Sequence, residues 1–267
     1  MRLRTWLVSL LFTLPALAQT FTGTTVKSVD ASRGLREAVT AAGTKWVAWT
    51  APTSEVSICC SGNRGGCGNC SLEGNGMMIG DIDGVSRRTS TMLLAARIER
   101  GHIAKLRLFD ANCPIAANGA SITVLNNVTP EASIHYLVQA TRDSDDDELL
   151  AALSLHEHPS VVPALIELAR NDPSRKVRRG AIFWLGQKAG EKAAGELRRA
   201  VDNDPDDEVR EHAVFAISQL PRDRAVPMLI DLVKTHKRPK VRERAIFWLA
   251  QTGDPRALEL IEQILTR

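Results

Sequence analysis

The strongest constraint on this chain is an eleven-residue pattern that returns twice, each time displaced by 32 residues. A period of this length is typical of a solenoid, because one unit cannot bury its apolar face alone and stacked units share a core. In the first copy Val177, Ala181 and Leu185 recur four residues apart, which places them on one face of a helix. The three copies span residues 177–187, 209–219 and 241–251.

A second helix is predicted before each copy, and a short loop joins the two. Proline favours the first helical turn or the turn before it, and aspartate suits an N-cap. A degenerate earlier copy, with Leu149 and Leu153 in register with Ala181 and Leu185, extends the array towards the N-terminus. The sequence therefore predicts about nine helices over residues 131–267. The loops contain Asp172-Pro173, Asp204-Pro205 and Arg238-Pro239, and the preceding helices align at Leu165, Leu197, Leu229 and Ile261.

These units resemble the HEAT-like repeats, specifically the short bacterial repeats of the phycobilisome-lyase type. The family pattern is an apolar helix, a loop with Asp-Pro, then Val-Arg and an alanine-rich helix ending in Leu-Gly. The resemblance implies a ladder of hydrogen bonds between loop aspartates and Val-Arg arginines, which should lapse at the last joint, where His236 replaces the aspartate. Because the family includes scaffolds, adaptors and a few enzymes, it predicts fold rather than activity. The residues that match most closely are Asp172, Val177, Arg178, Ala181, Leu185 and Gly186.

The first 18 residues have the composition of a secretory signal peptide. Arg2 and Arg4 precede an apolar stretch, and small residues lead to a cleavage site predicted after Ala18. No later run approaches the roughly 20 apolar residues of a membrane span. We therefore expect export, to a bacterial periplasm or the medium. Removal of both arginines lowers the formal net charge from +3 to about +1, which gives no reason to expect nucleic acid as a partner.

Residues 19–130 are predicted to form a different, small α+β module. A helical pattern precedes Val39, and the segment 46–50 alternates as a strand does. Two further strand patterns flank Gly101-His102, which predicts a β-hairpin with a tight turn. Residues 122–125 add another short strand. The fold class is therefore a cysteine-containing α+β module followed by an all-α HEAT-like solenoid.

All five cysteines lie in this module, and structural disulfides are the favoured interpretation for an exported protein. Spacing does not fix their pairing, and the odd number leaves one thiol over. A structural zinc site is a second hypothesis, because Cys67-x-x-Cys70 has ligand spacing. A redox Cys67/Cys70 pair is a third, although the sequence that follows is a poor helix start. The cysteines are Cys59, Cys60, Cys67, Cys70 and Cys113.

The sequence does not predict a catalytic site, a metal site or a cofactor. It contains no nucleophile elbow, no phosphate-binding P-loop and no dinucleotide-binding glycine pattern. His156 and His158 stand too close together to share a helix face, and Pro159 follows them. We interpret this pair instead as a helix C-terminus, where the helix dipole favours a histidine.

The predicted binding surface is a ladder of aromatic and amide side chains on the Val-Arg helices, which line the concave side in this repeat type. Positions 179, 183 and 187 share a face at a spacing of four. Aromatic rings offer apolar contact, and carboxamides can pair with an extended backbone. The alternative is that the rings pack between repeats and only stabilise the stack. Trp184 and Trp248 are interpreted as core residues. The ladder consists of Phe183, Phe215, Phe247, Gln187, Gln219 and Gln251.

Charge is placed unevenly along the predicted solenoid. Acidic residues gather at 143–148, and basic residues gather at 234–244. Solvated ends explain this placement, and electrostatic selection of a partner or head-to-tail association is the functional alternative. The sequence thus predicts an exported, non-catalytic scaffold or adaptor that binds a protein or an extended peptide on the concave face. The alternative is a thiol-redox or enzyme-accessory protein that uses the loop from Cys59 to Cys70.

Overall fold

The computed structural model describes residues 20–59, 70–74, 78–79, 88–144, 147–188 and 191–266. The predicted signal peptide and its cleavage site, together with Cys60 and Cys67, lie outside these residues. In the described part, strands and one helix come first and nine helices follow, so the predicted fold class is confirmed. None of the helices described there is long and apolar enough to cross a membrane.

The N-terminal module is built around a six-stranded mixed sheet with the order β2-β8-β3-β5-β6, and β4 pairs with the end of β3. β8 pairs in parallel with β2 and β3, whereas β3, β5 and β6 form antiparallel pairs. The predicted hairpin turn is present, with Arg100 and Gly101 both at positive φ. The elements are β1 (Phe21–Thr22), β2 (Val26–Asp30), α1 (Leu35–Ala42), β3 (Trp46–Cys59), β4 (Met78–Ile79), β5 (Arg88–Glu99), β6 (His102–Asp110), β7 (Ile115–Ala116) and β8 (Ile122–Asn126). β1 and β7 form a separate two-stranded sheet.

Both faces of the large sheet are buried, each in its own hydrophobic cluster. Alternate residues of β3 show this division, because Trp46 and Ala48 belong to one cluster while Val47 and Trp49 belong to the other. The first cluster is local to the module and includes Phe21, Leu72, Cys70, Cys113 and Ile115. The second cluster continues without interruption through α1 into the helices that follow.

Eight of the nine later helices form four antiparallel pairs that stack on one another, and the last helix packs on the final pair. α4 packs on α5, α6 on α7 and α8 on α9, and the helices α3, α5, α7 and α9 contact one another in succession. The bounds are α2 (Pro130–Asp143), α3 (Asp147–Leu155), α4 (Val161–Asn171), α5 (Arg175–Gln187), α6 (Glu191–Asn203), α7 (Asp207–Ser218), α8 (Arg222–Thr235), α9 (Pro239–Gln251) and α10 (Pro255–Leu265). This arrangement is a helical solenoid.

The loop aspartates do not cap the Val-Arg helices, contrary to the expectation from sequence. Asp172 is instead the C-cap residue of α4, and its Oδ1 accepts a bond from the amide of Ser174 at 2.9 Å. Asp204 accepts the equivalent bond from the amide of Asp206 at 2.9 Å. The true N-caps, Ser174 and Asp206, stand two residues later. The aspartate shapes the turn, and the residue after the proline starts the helix.

The predicted arginine ladder is present at one joint and lapses at the last. The guanidinium of buried Arg178 donates to both carboxylate oxygens of Asp204, at 3.0 and 3.3 Å, and to the carbonyl of Asp172 at 3.1 Å. One repeat later His236 offers no carboxylate. Arg210 therefore turns to Asp207 of its own helix, and its buried Nε has no hydrogen-bond partner among the residues that the structure describes.

The sheet packs directly against the start of the solenoid. Trp49 Nε1 donates to Ser133 Oγ of α2 at 2.8 Å, and Thr53 Oγ1 donates to the carbonyl of Leu155 at 2.7 Å. At the edge of the contact, Arg107 of β6 pairs with Glu148 of α3 at 2.6 Å. These contacts close the N-terminal end of the solenoid. The division of the chain into independently folding units at residue 130 stays a prediction.

Candidate functional site

The helices α3, α5, α7 and α9 form an inner row, and the last three of them carry a continuous set of aromatic side chains. The rings of Phe183 and Phe215 are stacked, with centroids 6.4 Å apart and planes inclined by 12°. Phe215 lies 4.9 Å from Trp248 of the next repeat, and Phe247 lies 4.9 Å from Trp248 in turn. The 32-residue period produces this set, because it stacks one helix face on the next.

Two adjoining cavities open along these rings. The larger, of about 690 Å³, lies between α3, α5 and α7, and Leu150, Gly180 and Trp184 are among its lining residues. The smaller, of about 450 Å³, lies between α5, α7 and α9. Arg179, His212 and Phe215 line both cavities. We refer to the surface formed by Phe183, Trp184, His212, Phe215 and Trp248 as the aromatic groove.

Ion pairs along the edge of the aromatic groove neutralise its charges locally. Arg179 pairs with Glu208 at 3.5 Å, and Arg244 pairs with Glu211 at 2.9 Å. Both pairs join neighbouring repeats, from α5 to α7 and from α7 to α9. The charges at this edge are therefore paired, and the larger cavity presents mainly apolar and aromatic surface.

His212 is the polar side chain within the aromatic groove. Its ring lies 5.5 Å from Phe215 and 6.4 Å from Phe183, so it is surrounded by apolar rings. Burial lowers the pKa of this imidazole below its usual value, and the nearby charge of Arg179 lowers it further. The neutral ring can donate one hydrogen bond and accept another.

The structure places the predicted ladder residues in two different environments. Phe183 and Phe215 are half-buried, with contacts between repeats on one side and the cavity on the other, whereas Phe247 is 49% exposed. The glutamines, Gln187, Gln219 and Gln251, are exposed at the C-terminal ends of their helices and lie outside the linings of both cavities. Each phenylalanine thus contacts a neighbouring ring and also keeps part of its surface accessible. Partner binding by these six residues stays a prediction.

Three groove residues were not recognised from the sequence. Trp184 and Trp248 were interpreted as core, but each packs on the core with one side and lines a cavity with the other. His212 was not assigned to the surface. A strict four-residue spacing places position 183 on one face with 179 and 187. The actual helix face is broader and also includes positions 180 and 184. One period later, position 180 becomes His212.

His156 is buried at the junction with the sheet, and the expected dipole effect on a charged histidine is wrong. Its Nδ1 lies 2.7 Å from the carbonyl oxygen of Ala152, and its Nε2 lies 2.8 Å from Ser133 Oγ. Burial lowers the pKa of His156 to about 4, so the ring is neutral at pH 7. Its role is to join α3 to α2 and, through Ser133, to Trp49.

The cysteines are only partly within the described residues. Cys70 and Cys113 are buried beside Phe21 and Leu72, and both are disulfide-bonded in the structure. Cys60 and Cys67 fall outside, as does the side chain of Cys59. The zinc and redox hypotheses depend on those residues and stay untested. Elsewhere, the described His, Cys, Asp and Glu side chains form no group of three that could hold a metal ion.

Together, the stacked pairs and the groove along their inner row define a helical repeat protein of the kind that typically mediates protein interactions. Comparison with known protein families identifies the repeats. The family model of HEAT repeats matches residues 162–235 and 196–267. This part of the chain therefore consists of HEAT repeats, as the resemblance implied. The N-terminal module is outside both matches. The comparison with curated proteins gives no match.

Proposed function

We propose that the protein is an exported, non-catalytic scaffold that binds an extended segment of a partner protein in the aromatic groove. The observation that carries this proposal is the run of rings across three repeats, from Phe183 through Phe215 to Trp248. Rings with this much accessible surface are typical anchors of protein interfaces. HEAT repeats commonly present such surfaces to protein partners.

The spacing of the rings favours an extended peptide as the ligand. The centroids of Phe183 and Phe215 are 6.4 Å apart. Alternate residues of an extended strand, which project to the same side, are roughly 6.6 Å apart. Two alternate apolar side chains of one strand can therefore contact these two rings. Gln187, Gln219 and Gln251 flank this path at the helix ends, where their amides can bond the peptide backbone.

Closer packing on the inner row supports the proposal that this face is concave. A Cβ atom added to Gly186 of α5 would lie only 2.9 Å from the carbonyl oxygen of Ala216 of α7. The helices of the inner row thus approach each other closely there, and a stack bends towards the side where its units are closer. A concave surface increases the area that a bound segment can bury.

The test is selection from a random display library of twelve-residue peptides, followed by calorimetric measurement of the selected peptides. We expect apolar residues at alternate positions and a Kd raised at least about tenfold by Phe183→Leu or Phe215→Leu, since anchor residues dominate such interfaces. Ile230→Ala on the outer helix α8 is the matched control and should leave the Kd unchanged. Peptides that bind both groove variants as tightly as the wild type would disprove the groove as the site.

Export and oxidation of the cysteines belong to the same proposal. Buried, disulfide-bonded Cys70 and Cys113 support a structural role for the bridges in an oxidising compartment. The mature chain should be recovered outside the cytoplasm with Gln19 as its first residue, and mass spectrometry after alkylation should show these two cysteines protected. Recovery of an uncleaved cytoplasmic chain with both thiols alkylated would contradict it.

A further inference from the structure

The last helix that the structure describes, α10, exposes residues that the repeat assigns to the core. Leu258 is 54% exposed, Ile264 is 42% exposed and Leu265 is 79% exposed. Residues one period earlier in α8 are all buried. The buried equivalents are Val226, Leu232 and Val233. The surface of α10 therefore has the composition of an interior while it is open to solvent.

Among the residues that the structure describes, α10 has neighbours on one side alone, and this explains the exposure. α8 is covered by α7 on one side and by α9 and α10 on the other, whereas the main contacts of α10 are with α8 and α9 alone. Leu258, Ile261 and Leu265 are spaced by three and four residues, so they form one stripe along the helix. Within the described residues, no helix packs on that stripe as α10 packs on α8. The surface is thus shaped to receive another helix.

The charges of the last two helices are complementary to each other. α9 carries Lys240 and Arg242 against one acidic residue, Glu243, whereas its Arg244 is already paired with Glu211. α10 carries Glu259 and Glu262, and its Arg256 is already paired with Asp254 at 2.9 Å. If α10 of one molecule lies against α9 of another, an acidic helix meets a basic one. A two-fold axis makes this contact twice.

The other end of the solenoid cannot supply the covering helix. There the sheet closes the stack through the Trp49–Ser133 hydrogen bond and the Arg107–Glu148 ion pair. Head-to-tail stacking would have to displace these contacts, so the open end can meet only its own counterpart. This geometry gives a closed dimer rather than a filament.

We propose that two copies of this chain associate tail to tail through α10 and α9. Helices of 13 and 11 residues present a face roughly 20 Å long, and two helices together are roughly 20 Å wide. Such a face is smaller than a standard stable interface. The dimer is therefore weak and reversible, with a dissociation constant in the micromolar range. This inference concerns a different surface and does not depend on the aromatic groove.

Sedimentation velocity of the full mature chain from about 2 to 200 µM tests the proposal. We expect a monomer–dimer equilibrium for the wild type, and a dissociation constant raised at least tenfold by Leu258→Ser/Leu265→Ser. Glu262→Lys should also weaken the dimer, whereas Glu37→Lys, the same charge change at an exposed position of α1, should leave it unchanged.

Each other outcome would overturn the proposal. A wild type that sediments as a monomer over the whole range has no such dimer. A dimer that survives the double substitution uses another surface, and one weakened equally by Glu37→Lys responds to net charge alone. Thermal melting of the double variant completes the test. Because both side chains are exposed, it should melt close to the wild type, and a large fall would mean that they belong to the core.

Discussion

The neutral histidine at the junction between sheet and solenoid makes stability depend on pH in a defined direction. The ring of His156 has one arrangement that satisfies every group around it. Trp49 donates to Ser133, Ser133 donates to His156 Nε2, and His156 Nδ1 donates to the carbonyl of Ala152. Protonation of Nε2 removes the acceptor that Ser133 uses and places a charge in a buried site.

The size of this pH effect on the free energy of unfolding follows from the pKa of His156 in the folded and unfolded states. Burial lowers the pKa of His156 to about 4 in the folded protein, from 6.5 for an unperturbed imidazole. The unfolded chain therefore binds the proton more readily, and the free energy of unfolding must fall as pH falls between these values. From pH 7.5 to pH 5.0 this single group should lower it by about 2 kcal/mol. The stability that the neutral His156 contributes is lost completely only below pH 4.

The assay is urea unfolding at several pH values between 7.5 and 5.0, for the wild type and for His156→Gln. The substitution will itself destabilise the protein, so the informative quantity is the change with pH. His212 also has a lowered pKa and acts in the same direction in both proteins, and the difference between them isolates His156. His135→Gln, at an exposed position on α2, is the matched control.

We expect His156→Gln to flatten the pH dependence of the free energy of unfolding by about 2 kcal/mol over this interval, while His135→Gln keeps the wild-type dependence. Equal slopes for the wild type and His156→Gln would refute the neutral, buried imidazole. A slope of opposite sign would mean that the junction prefers the charged ring.

Two further predictions concern the joints between repeats. Gly186→Ala should lower the free energy of unfolding by about 1–3 kcal/mol in urea titrations, because its Cβ would lie 2.9 Å from a backbone oxygen of α7. Gly195→Ala in α6, which meets nothing within 4 Å, should instead raise it by about 0.5–1 kcal/mol, and the same sign at both sites would contradict the close approach. His236→Asp should extend the ladder, since an aspartate there can accept from the amide of Arg238 and from Arg210. It should raise the melting temperature, with a gain of about 1 kcal/mol, and an unchanged or lower value would show that Arg210 stays with Asp207.

The helical half of the fold could be predicted because its information is local and repeated. The three copies of the Val-Arg pattern fix helix faces, register and helix number, and the described residues after 129 contain nine helices. The lapse of the ladder at His236 could also be predicted, since one residue type decides whether a carboxylate is present. Loop details were less accessible, because both Asp172 and Ser174 are plausible caps in sequence and only geometry separates them.

The sheet could be recognised strand by strand, but its order could not. β2 and β8 pair in parallel although they are separated by most of the module, and no local pattern reports such a pairing. The junction was hidden for the same reason. Trp49, Ser133 and His156 lie in three different parts of the chain. Considered alone, His156 has the sequence position of a residue at the end of a helix.

The general position of the candidate site could be predicted from the sequence, because the repeat period identifies the helix face even when the width of that face is unknown. Counting every fourth residue located Phe183 and Phe215 but omitted the residues one position away. Those omitted residues, His212 and the tryptophans, determine the chemistry of the groove, since they add its polar group and much of its aromatic surface. Burial decides between core and surface for an aromatic side chain, and burial depends on the neighbouring repeat rather than on the residue itself.

The two ends of the solenoid account for how a short stack can serve as a scaffold. A stack of repeats needs a cover at each end, because a terminal helix exposes the face that its neighbours bury. Here the sheet covers the first end through Trp49 and Arg107. α10 leaves the second end open, with Leu265 79% exposed. If a second copy covers that end, the dimer presents two aromatic grooves. Two grooves on one particle can hold two segments of a single partner, and the second contact then forms at a high effective concentration.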